Sequence, residues 1–311
     1  MKKFSILIMS TFISIIAVGC TNEDSKINSN TENIIENTTE NVESTENVES
    51  NSEIDKLFKD LEQQYGVTLG VYALNTENNS EIAYNEDERF AYASTYKALA
   101  AAAILEKYSI EELENVIHFS QEDVLSYAPV SKDKVDTGMT IREICEAAVR
   151  QSDNTAGNLQ FQLLDGVAGF EKALNKIGDT VTKPARQEPE LNEATPGDER
   201  DTSTPKQLAL NLKEYLTSDI LSDEKKAILL DWMSNNATGD ALIRAGVPSD
   251  WVVADKSGAG DYGTRNDIAV VTPPNGKPIF VSILSKKEDK DAEYDNKLIE
   301  DAARIVSEHI K

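Results

Sequence analysis

The hydrophobic residues follow three different patterns along the chain, and each pattern predicts a different kind of structure. From residue 4 to residue 18 they form a nearly unbroken run, whereas they are sparse between residues 21 and 51. From residue 52 onward they recur at the helical spacing i, i+3, i+4 or in short strand-like runs. The pattern therefore predicts a leader, then a polar segment, then one folded domain over residues 52–311.

Within the folded domain, strand-like runs lie near both ends and helical patterns fill the middle. The predicted helices cover residues 54–65, much of 96–176 (most clearly 141–149 and 159–164), 205–216, 223–233 and 291–310. The predicted strands cover residues 68–74, 81–84, 251–256, 265–272 and 278–284, with a hairpin turn at 273–276. This order indicates an α/β fold, in which an antiparallel sheet is flanked by helices and carries an inserted all-helical subdomain.

The leader begins with Lys2 and Lys3 and continues into an apolar run of about 15 residues. That run is shorter than the ~20 residues needed to span a bilayer, so it predicts a signal peptide over residues 1–19. The run ends in Ala17-Val18-Gly19-Cys20, which resembles a bacterial lipobox, although Leu is more usual at the position of Ala17. We therefore expect cleavage before Cys20 and lipidation of its thiol, which would serve as a membrane anchor.

The polar segment that follows, residues 20–51, has the composition of a disordered tether. It is rich in Asn, Ser, Thr and acids, has no aromatic residue and repeats Glu-Asn-Val-Glu-Ser at 40–44 and 46–50. So little apolar surface cannot offset the entropy of ordering the backbone. We expect an exported protein that this tether holds at the outer face of the cytoplasmic membrane, or facing the periplasm, with partial release.

The formal net charge of the chain is −24, and the folded domain carries most of it. The leader contributes +2 and the tether −7, which leaves −19 for the remaining residues. A domain this acidic repels nucleic acid and anionic lipid headgroups, so we expect neither as a partner. We expect the domain to be monomeric.

Cysteine and histidine are too scarce to supply several common kinds of site. The only cysteines are Cys20 and Cys145, so no disulfide can form within the domain, and Cys145 lies on an apolar helical face typical of a buried, inert thiol. The only histidines, His118 and His309, lie far apart in unremarkable contexts. This argues against a histidine-rich zinc site and against a Ser-His-Asp triad. A hydrolytic base must therefore come from Lys, Glu or Asp.

The pattern Ser-x-x-Lys can supply both a nucleophile and its base, because it places a hydroxyl and an amine one helical turn apart. Ser94/Lys97 alone precedes an apolar helix, Ala98 to Leu105, which would draw the lysine towards a desolvated cleft. The others are predicted to be two helix starts capped by serine and a charged loop. These pairs are Ser203/Lys206, Ser222/Lys225 and Ser131/Lys134.

Three further motifs accompany Ser94-Thr-Tyr-Lys97 in a characteristic order. They are Ser152-Asp153-Asn154 after a helix, Lys256-Ser257-Gly258 at a strand end, and Glu188-Pro189-Glu190-Leu191-Asn192 in a loop. The first two, with Ser-x-x-Lys, resemble the motifs of the penicillin-recognising serine enzymes. The Glu-x-x-Leu-Asn element resembles the Ω loop of class A β-lactamases, which transpeptidases of the superfamily lack. The resemblance covers about residues 52–311.

The resemblance implies hydrolysis of β-lactam antibiotics, hence resistance to them, through an acyl-enzyme and without a metal or cofactor. Ser94 would be the nucleophile, Lys97 or Glu188 the acylation base, and Ser152, helped by Lys256, the proton donor to the lactam nitrogen. Glu188 with Asn192 would activate the water that deacylates. Substrate would contact Tyr127, Asn154, Asn192, Ser257, Gly258, Ala259 and Arg265, with the oxyanion held by the N–H groups of Ser94 and Ala259.

The resemblance also implies an Arg186–Asp201 pair at the base of the Ω loop and a cis bond between Glu188 and Pro189. Two other functions share most of these residues. A penicillin-binding peptidase would stay acylated, and the Glu188 element argues against it. A non-catalytic surface lipoprotein of the same fold is the second alternative, against which the complete set of motifs argues.

Overall fold

The computed structural model of the protein describes residues 52–310, so the predicted signal peptide, Cys20 and the predicted tether lie outside the described residues. The helices are α1 (52–65), α2 (Tyr96–Lys107), α3 (Ile141–Arg150), α4 (Asn154–Leu163), α5 (Val167–Lys176), α6 (Pro205–Thr217), α7 (Asp223–Ser234), α8 (Ile243–Gly246) and α9 (Asn296–His309). The strands are β1 (Thr68–Asn75), β2 (Glu81–Tyr84), β3 (Phe90–Ala91), β4 (Val116–Ile117), β5 (Met139–Thr140), β6 (Thr202–Ser203), β7 (Val252–Ala259), β8 (Arg265–Thr272) and β9 (Ile279–Lys286).

Strands from both ends of the domain form one five-stranded antiparallel sheet in the order β2-β1-β9-β8-β7. The central pairing joins β1 to β9 over their full length, from Thr68 opposite Lys286 to Asn75 opposite Ile279. Helices α2 to α7 lie between β2 and β7 in the sequence. The predicted α/β architecture is therefore confirmed, including the helical region inserted between the two halves of the sheet.

The sheet is buried on both faces, which explains why its strands read as almost continuous apolar runs. On β9, Phe280 and Leu284 belong to the core shared with the helical region. Val281 and Ile283, which alternate with them, belong to a second core that includes residues of α1, α8 and α9. Successive side chains of a strand point to opposite faces, so one strand supplies both cores.

Helix α2 lies at the centre of the helical region and is buried along nearly its whole length, from Tyr96 to Leu105. Five alanines and one lysine, Lys97, are among these buried residues. A helix that is apolar on all sides must be surrounded by protein, and alanine lets neighbouring helices approach closely. Helices α3, α4 and α7 pack against it. The turn before α2 contacts β7, so the start of the helix has a fixed position beside the sheet.

Several predicted boundaries and one predicted helix cap were wrong. The last helix begins at Asn296 rather than at residue 291, because the Asp295 side chain accepts a hydrogen bond from Lys297 N and caps it there. Strand β7 continues to Ala259 rather than ending at Lys256, because its pairing with β8 extends to Arg265 opposite Ala259. The cap of α6 is Thr204 and not Ser203, which is buried in β6.

The connection between α5 and β6 contains the predicted Ω loop, and a buried carboxylate closes its base. Asp201 is fully buried and accepts hydrogen bonds from Arg186 Nε at 2.5 Å and from the backbone N–H groups of Ala185 and Arg186. It also accepts one from the Tyr92 hydroxyl at 3.0 Å. The predicted Arg186–Asp201 pair and the cis Glu188–Pro189 bond are both confirmed.

We expect Asp201→Ala to lower the free energy of unfolding by about 3–5 kcal/mol. The substitution removes the buried acceptor that Arg186 Nε shares with the backbone N–H groups of Ala185 and Arg186. Asp198→Ala is the matched control in the same loop, since Asp198 pairs with the exposed Arg200 and should change stability by less than about 1 kcal/mol. Urea unfolding followed by circular dichroism measures both changes. Equal effects of the two substitutions would contradict this account of the loop.

Candidate active site

Ser94 lies in a short 3-10 turn, Ala93–Thr95, that leads directly into α2. Ala93 adopts a φ of +46°, a left-handed conformation that is unfavourable for alanine and is held by the surrounding structure. The adjacent strand β7 packs closely against this turn. A Cβ on Gly258 would lie 3.1 Å from both Ser94 N and Tyr92 O. The glycine of the third motif therefore lets the strand backbone reach the nucleophile.

Lys97 is fully buried one turn after Ser94 and has oxygen atoms on several sides. Its Nζ lies 2.9 Å from Ser94 Oγ, 2.9 Å from Glu188 Oε1, 2.9 Å from the carbonyl of Ser152 and 2.7 Å from Asn154 Oδ1. Burial lowers the pKa of Lys97, although the charge of Glu188 opposes this shift. A lowered pKa makes the amine a better proton acceptor near neutral pH than an exposed lysine.

Glu188 reaches from the Ω loop to the same point and is only 3% exposed. Its Oε1 contacts Lys97 and accepts a 3.5 Å hydrogen bond from Ser94 Oγ, while its Oε2 accepts one from Asn192 Nδ2. The Tyr96 hydroxyl lies 3.4 Å from Oε1. The carboxylate is thus held beside the nucleophile by groups from two separate parts of the chain.

The sequence reasoning missed Asn158, which fixes the backbone of Glu188. Its Oδ1 accepts from Glu188 N at 2.9 Å and its Nδ2 donates to Glu188 O at 3.0 Å. Asn158 stands four residues after Asn154 on α4, hence on the same helical face, and that spacing was the one available signal. An asparagine amide can satisfy both backbone groups at once.

The second motif is held in an unusual backbone conformation by a buried acid. Ser152 has a φ of +55°. The Asp153 side chain caps α4 by accepting from Ala156 N and also accepts from the N–H groups of Val130 and Ser131. Ser131, one of the rejected nucleophile candidates, is fully buried and donates its hydroxyl to Asp153. Its role here is to support the motif.

Lys256 is the second buried lysine of the site and approaches Ser152 from the sheet. Its Nζ donates to Ser152 Oγ at 3.2 Å and to Ser257 O at 2.8 Å. Burial and the nearby charge of Lys97 together lower the pKa of Lys256 to about 7, against the effect of Asp255 and Asp267. Lys256 is therefore poised to change its charge near neutral pH.

Two buried aspartates lie behind Lys256 and differ in their partners. Asp255 accepts hydrogen bonds from Arg244 and Asn236. Asp267 on β8 accepts one from Ile243 N, while its Oδ1 has no hydrogen-bond partner within residues 52–310. Burial and the charge of Asp255 raise the pKa of Asp267 well above its usual range. Asp255, which has an arginine partner, is therefore the member of the pair whose negative charge is better compensated.

The third motif and Arg265 also line the cavity. They contact Thr238 and Asn296, two residues that the sequence did not predict. Ser257 Oγ lies 2.6 Å from Thr238 Oγ1. Arg265 Nε donates to Asn296 Oδ1 at 2.8 Å, and its other nitrogens approach the carbonyls of Gly258 and Thr238 at 3.4 Å. Thr238 and Asn296 belong to no motif and lie far from their partners in sequence.

The site opens into a cavity of about 470 Å³. Nine of the predicted site residues line it, and the buried Lys97, Glu188 and Lys256 contact its lining from below. Tyr127, 50% exposed, and Tyr294, 46% exposed, are its two aromatic residues. The nine are Ser94, Tyr127, Ser152, Asn154, Asn192, Ser257, Gly258, Ala259 and Arg265. The structure thus brings all the predicted residues of the domain together at one cleft.

This geometry suits acyl transfer to a serine. A nucleophile lies within hydrogen-bond distance of two possible bases, both fixed by further polar contacts. A second hydroxyl, Ser152, contacts a lysine whose pKa is lowered. Arg265 and Lys256 provide positive charge for an anionic group of the substrate.

Comparison with known proteins gives the same family throughout. A sequence model of the β-lactamase enzyme family matches residues 51–310. The chain is 57% identical to the β-lactamase of Bacillus subtilis (strain 168), over 82% of this chain and 84% of that protein. It is 55% identical to β-lactamase 1 of Bacillus cereus, over 81% and 82% respectively.

A solved structure agrees with these sequence relatives. The class A β-lactamase from Clostridium kluyveri DSM 555 superposes with a TM-score of 0.81 at 57% identity, and the match covers 82% of this chain and 97% of that one. Family match, sequence identity and fold therefore coincide over the part of the chain that contains the site. The chain belongs to the class A β-lactamase family.

Proposed function

We propose that this protein hydrolyses the β-lactam ring of antibiotics through an acyl-enzyme on Ser94 and thereby confers resistance to them. The observation that carries the proposal is the buried contact of Glu188 with both Lys97, at 2.9 Å, and Ser94, at 3.5 Å. A nucleophile with only a lysine beside it could be acylated. A carboxylate in addition provides a base that can activate water and free the serine again.

Acylation begins with attack of Ser94 Oγ on the lactam carbonyl carbon. The proton of Ser94 passes to Lys97, which contacts Oγ directly, or to Glu188 through a water molecule. The oxyanion is stabilised by the backbone N–H groups of Ser94 and Ala259, which both line the cleft. The carbon–nitrogen bond of the ring then breaks, and Ser152, supported by Lys256, donates a proton to the nitrogen.

Deacylation depends on the Ω loop, which supplies Glu188 and Asn192. Glu188 removes a proton from a water molecule that Asn192 helps to position, and the hydroxide attacks the ester carbonyl. The ester bond to Ser94 then breaks, Ser94 Oγ regains a proton from Glu188 or through Lys97, and the opened product departs. The close support of Glu188 by Asn158 and Asn192 keeps the base within reach of the ester during this step.

Substrate recognition follows from the charges and donors of the cleft. The substrate carboxylate binds between Lys256, Ser257 and Arg265, and Asn154 donates to the amide side chain. Tyr127 provides an apolar wall at the mouth. The strong acidity of the whole chain does not prevent binding of an anion, because these cations act at short range while solvent screens the surface carboxylates.

We also propose that the protein is exported, lipidated on Cys20 and held outside the cytoplasmic membrane by residues 20–51, with the domain acting as a monomer. The lipobox-like sequence and the polar composition of residues 21–51 support this proposal. None of the helices within residues 52–310 is long and apolar enough to cross a membrane. Lipid attached to Cys20 would hold the protein at the membrane after the leader has been cleaved.

The first prediction concerns Glu188→Gln. It should be acylated by a good penicillin because Lys97 still assists Ser94, but deacylation should slow by about 10²–10⁴-fold because the water lacks its base. Mass spectrometry of the intact protein should show one added substrate mass on Ser94. Glu190→Gln is the matched control, since Glu190 is exposed in the same loop, and it should turn over at the unaltered rate.

Other outcomes of this experiment separate the alternatives. Turnover by Glu188→Gln at the original rate would exclude Glu188 as the base. A folded variant that neither turns over nor forms the adduct would assign acylation to Glu188 as well. With the unaltered protein, a stoichiometric burst on a chromogenic cephalosporin would indicate a penicillin-binding peptidase, and no reaction would indicate a non-catalytic protein.

The second prediction concerns pH. The pKa of Lys256 is about 7, and only its charged form attracts the substrate carboxylate, so kcat/KM should fall as the pH rises above about 7. Most of the fall should appear in KM, because a bound carboxylate raises the pKa of Lys256 in the complex. Lys256→Arg should move the fall to higher pH, since guanidinium stays charged. Steady-state kinetics from pH 5.5 to 9.5 test this, and an unchanged alkaline limb in Lys256→Arg would refute it.

The third prediction concerns the anchor. Cys20→Ser should release the protein into the medium or periplasm with unchanged kcat/KM, because the change removes the acceptor thiol and leaves the domain intact. Cys145→Ala is the control, since it removes the other cysteine of the chain and should leave the protein in the membrane fraction. Cell fractionation with an activity assay measures how much of each variant remains in the membrane fraction. Retention of Cys20→Ser in the membrane would contradict lipidation at this residue.

A further inference from the structure

Tyr294 is an exposed aromatic residue of the cleft to which neither the motifs nor the mechanism gives a role. It lies in the loop before α9, and its ring remains 46% exposed. The Arg265 guanidinium lies over the ring, with Cζ 4.8 Å from the ring centroid. Exposed tyrosine rings at a cleft favour flat or cationic ligand groups, because one side is apolar and the π face attracts positive charge.

Tyr294 lines two neighbouring cavities. One is the active-site cavity of about 470 Å³, and the other is a hollow of about 560 Å³ between the turn after β7 and the loop before α9. The remaining residues of the hollow are Gly260, Asp261, Lys290, Asp291, Ala292 and Glu293. A substrate group that extends beyond Arg265 therefore meets the tyrosine first and the hollow next.

The sign of the charge reverses across Tyr294. On the cleft side lie Lys256 and Arg265, where the substrate carboxylate binds. On the far side the hollow has three carboxylates and one ammonium group, Lys290, whose Nζ is 3.9 Å from Asp261. A ligand that carries an anion and, a few ångströms away, a cation matches this arrangement.

We propose that Tyr294 determines specificity, by binding an aromatic, positively charged substituent carried on the ring carbon next to the one that bears the substrate carboxylate. This inference rests on the proposed β-lactam hydrolysis. Arg265, held by Asn296 and by the carbonyls of Gly258 and Thr238, binds the carboxylate beside the Tyr294 ring, so a substituent on the adjacent carbon lies within reach of that ring. Cephalosporins with a cationic heteroaryl group at carbon 3 have this chemistry.

The test uses three cephalosporins with the same acyl side chain and methyl, benzyl or pyridiniomethyl at carbon 3. For each enzyme, kcat/KM of the benzyl and pyridiniomethyl compounds is divided by that of the methyl compound. In Tyr294→Ala both ratios should fall about 3- to 10-fold, mainly through KM, because the stacking surface is lost. Tyr294→Phe should restore both ratios to within about twofold, since it retains the ring.

The acidic hollow has its own test. Asp291→Asn combined with Glu293→Gln should lower the pyridiniomethyl-to-benzyl ratio about threefold and leave the benzyl-to-methyl ratio unchanged. Glu288→Gln combined with Glu308→Gln removes two exposed acids that do not line the hollow, and controls for the change in overall charge.

Three results would count against the proposal. Equal losses for all three compounds in Tyr294→Ala would mean that the tyrosine acts only through Arg265. Unchanged ratios in Tyr294→Ala would mean that it makes no contact with the substituent. A lack of turnover of all three by the unaltered protein would overturn the proposed function itself, which distinguishes that failure from the first two.

Discussion

The buried contact between Lys97 and Glu188 is the interaction on which the rest of the site depends. Both side chains are withdrawn from water, and burying two charges costs several kcal/mol each unless they are paired and hydrogen-bonded. The pair meets this condition through Ser94, Asn154 and Asn192. Because these partners are the proposed nucleophile, Ser94, and two asparagines that line the cleft, the contacts that stabilise the pair also assemble the cleft.

Holding this pair requires two rigid supports that come from distant parts of the chain. Lys97 stands on α2, which is enclosed on all sides, so its position follows from the packing of the helical core. Glu188 stands on a loop, which by itself would be mobile. The loop is fixed by Asp201 at its base and by Asn158 beside Glu188 itself. Of the two buried carboxylates of this loop, Asp201 anchors the loop and Glu188 lies beside Ser94 in the cleft.

A second consequence of burial is the distribution of charge around the cleft. The chain is strongly acidic, yet its active site contains three buried or nearly buried cations: Lys97, Lys256 and Arg265. Burial lowers the pKa of all three. The charges of Asp255 and Asp267 partly offset this effect on Lys256, so it titrates near neutral pH. The protein thus presents a local positive site within a negative surface.

The sequence by itself determined the order of the five strands of the main sheet, the helical region between them and the residues of the three motifs, because hydrophobic period and motif spacing are local properties. It also indicated the family, since Glu188 to Asn192 accompanies the other motifs. It misplaced the start of α9 and the end of β7, because a cap at Asp295 and pairing with Arg265 override the local pattern. Only the tertiary structure revealed Asn158, Thr238, Asn296 and Tyr294 at the cleft. Their contacts join residues about 20 or more positions apart, and no local periodicity encodes which distant backbone or guanidinium a side chain will meet once the sheet has closed.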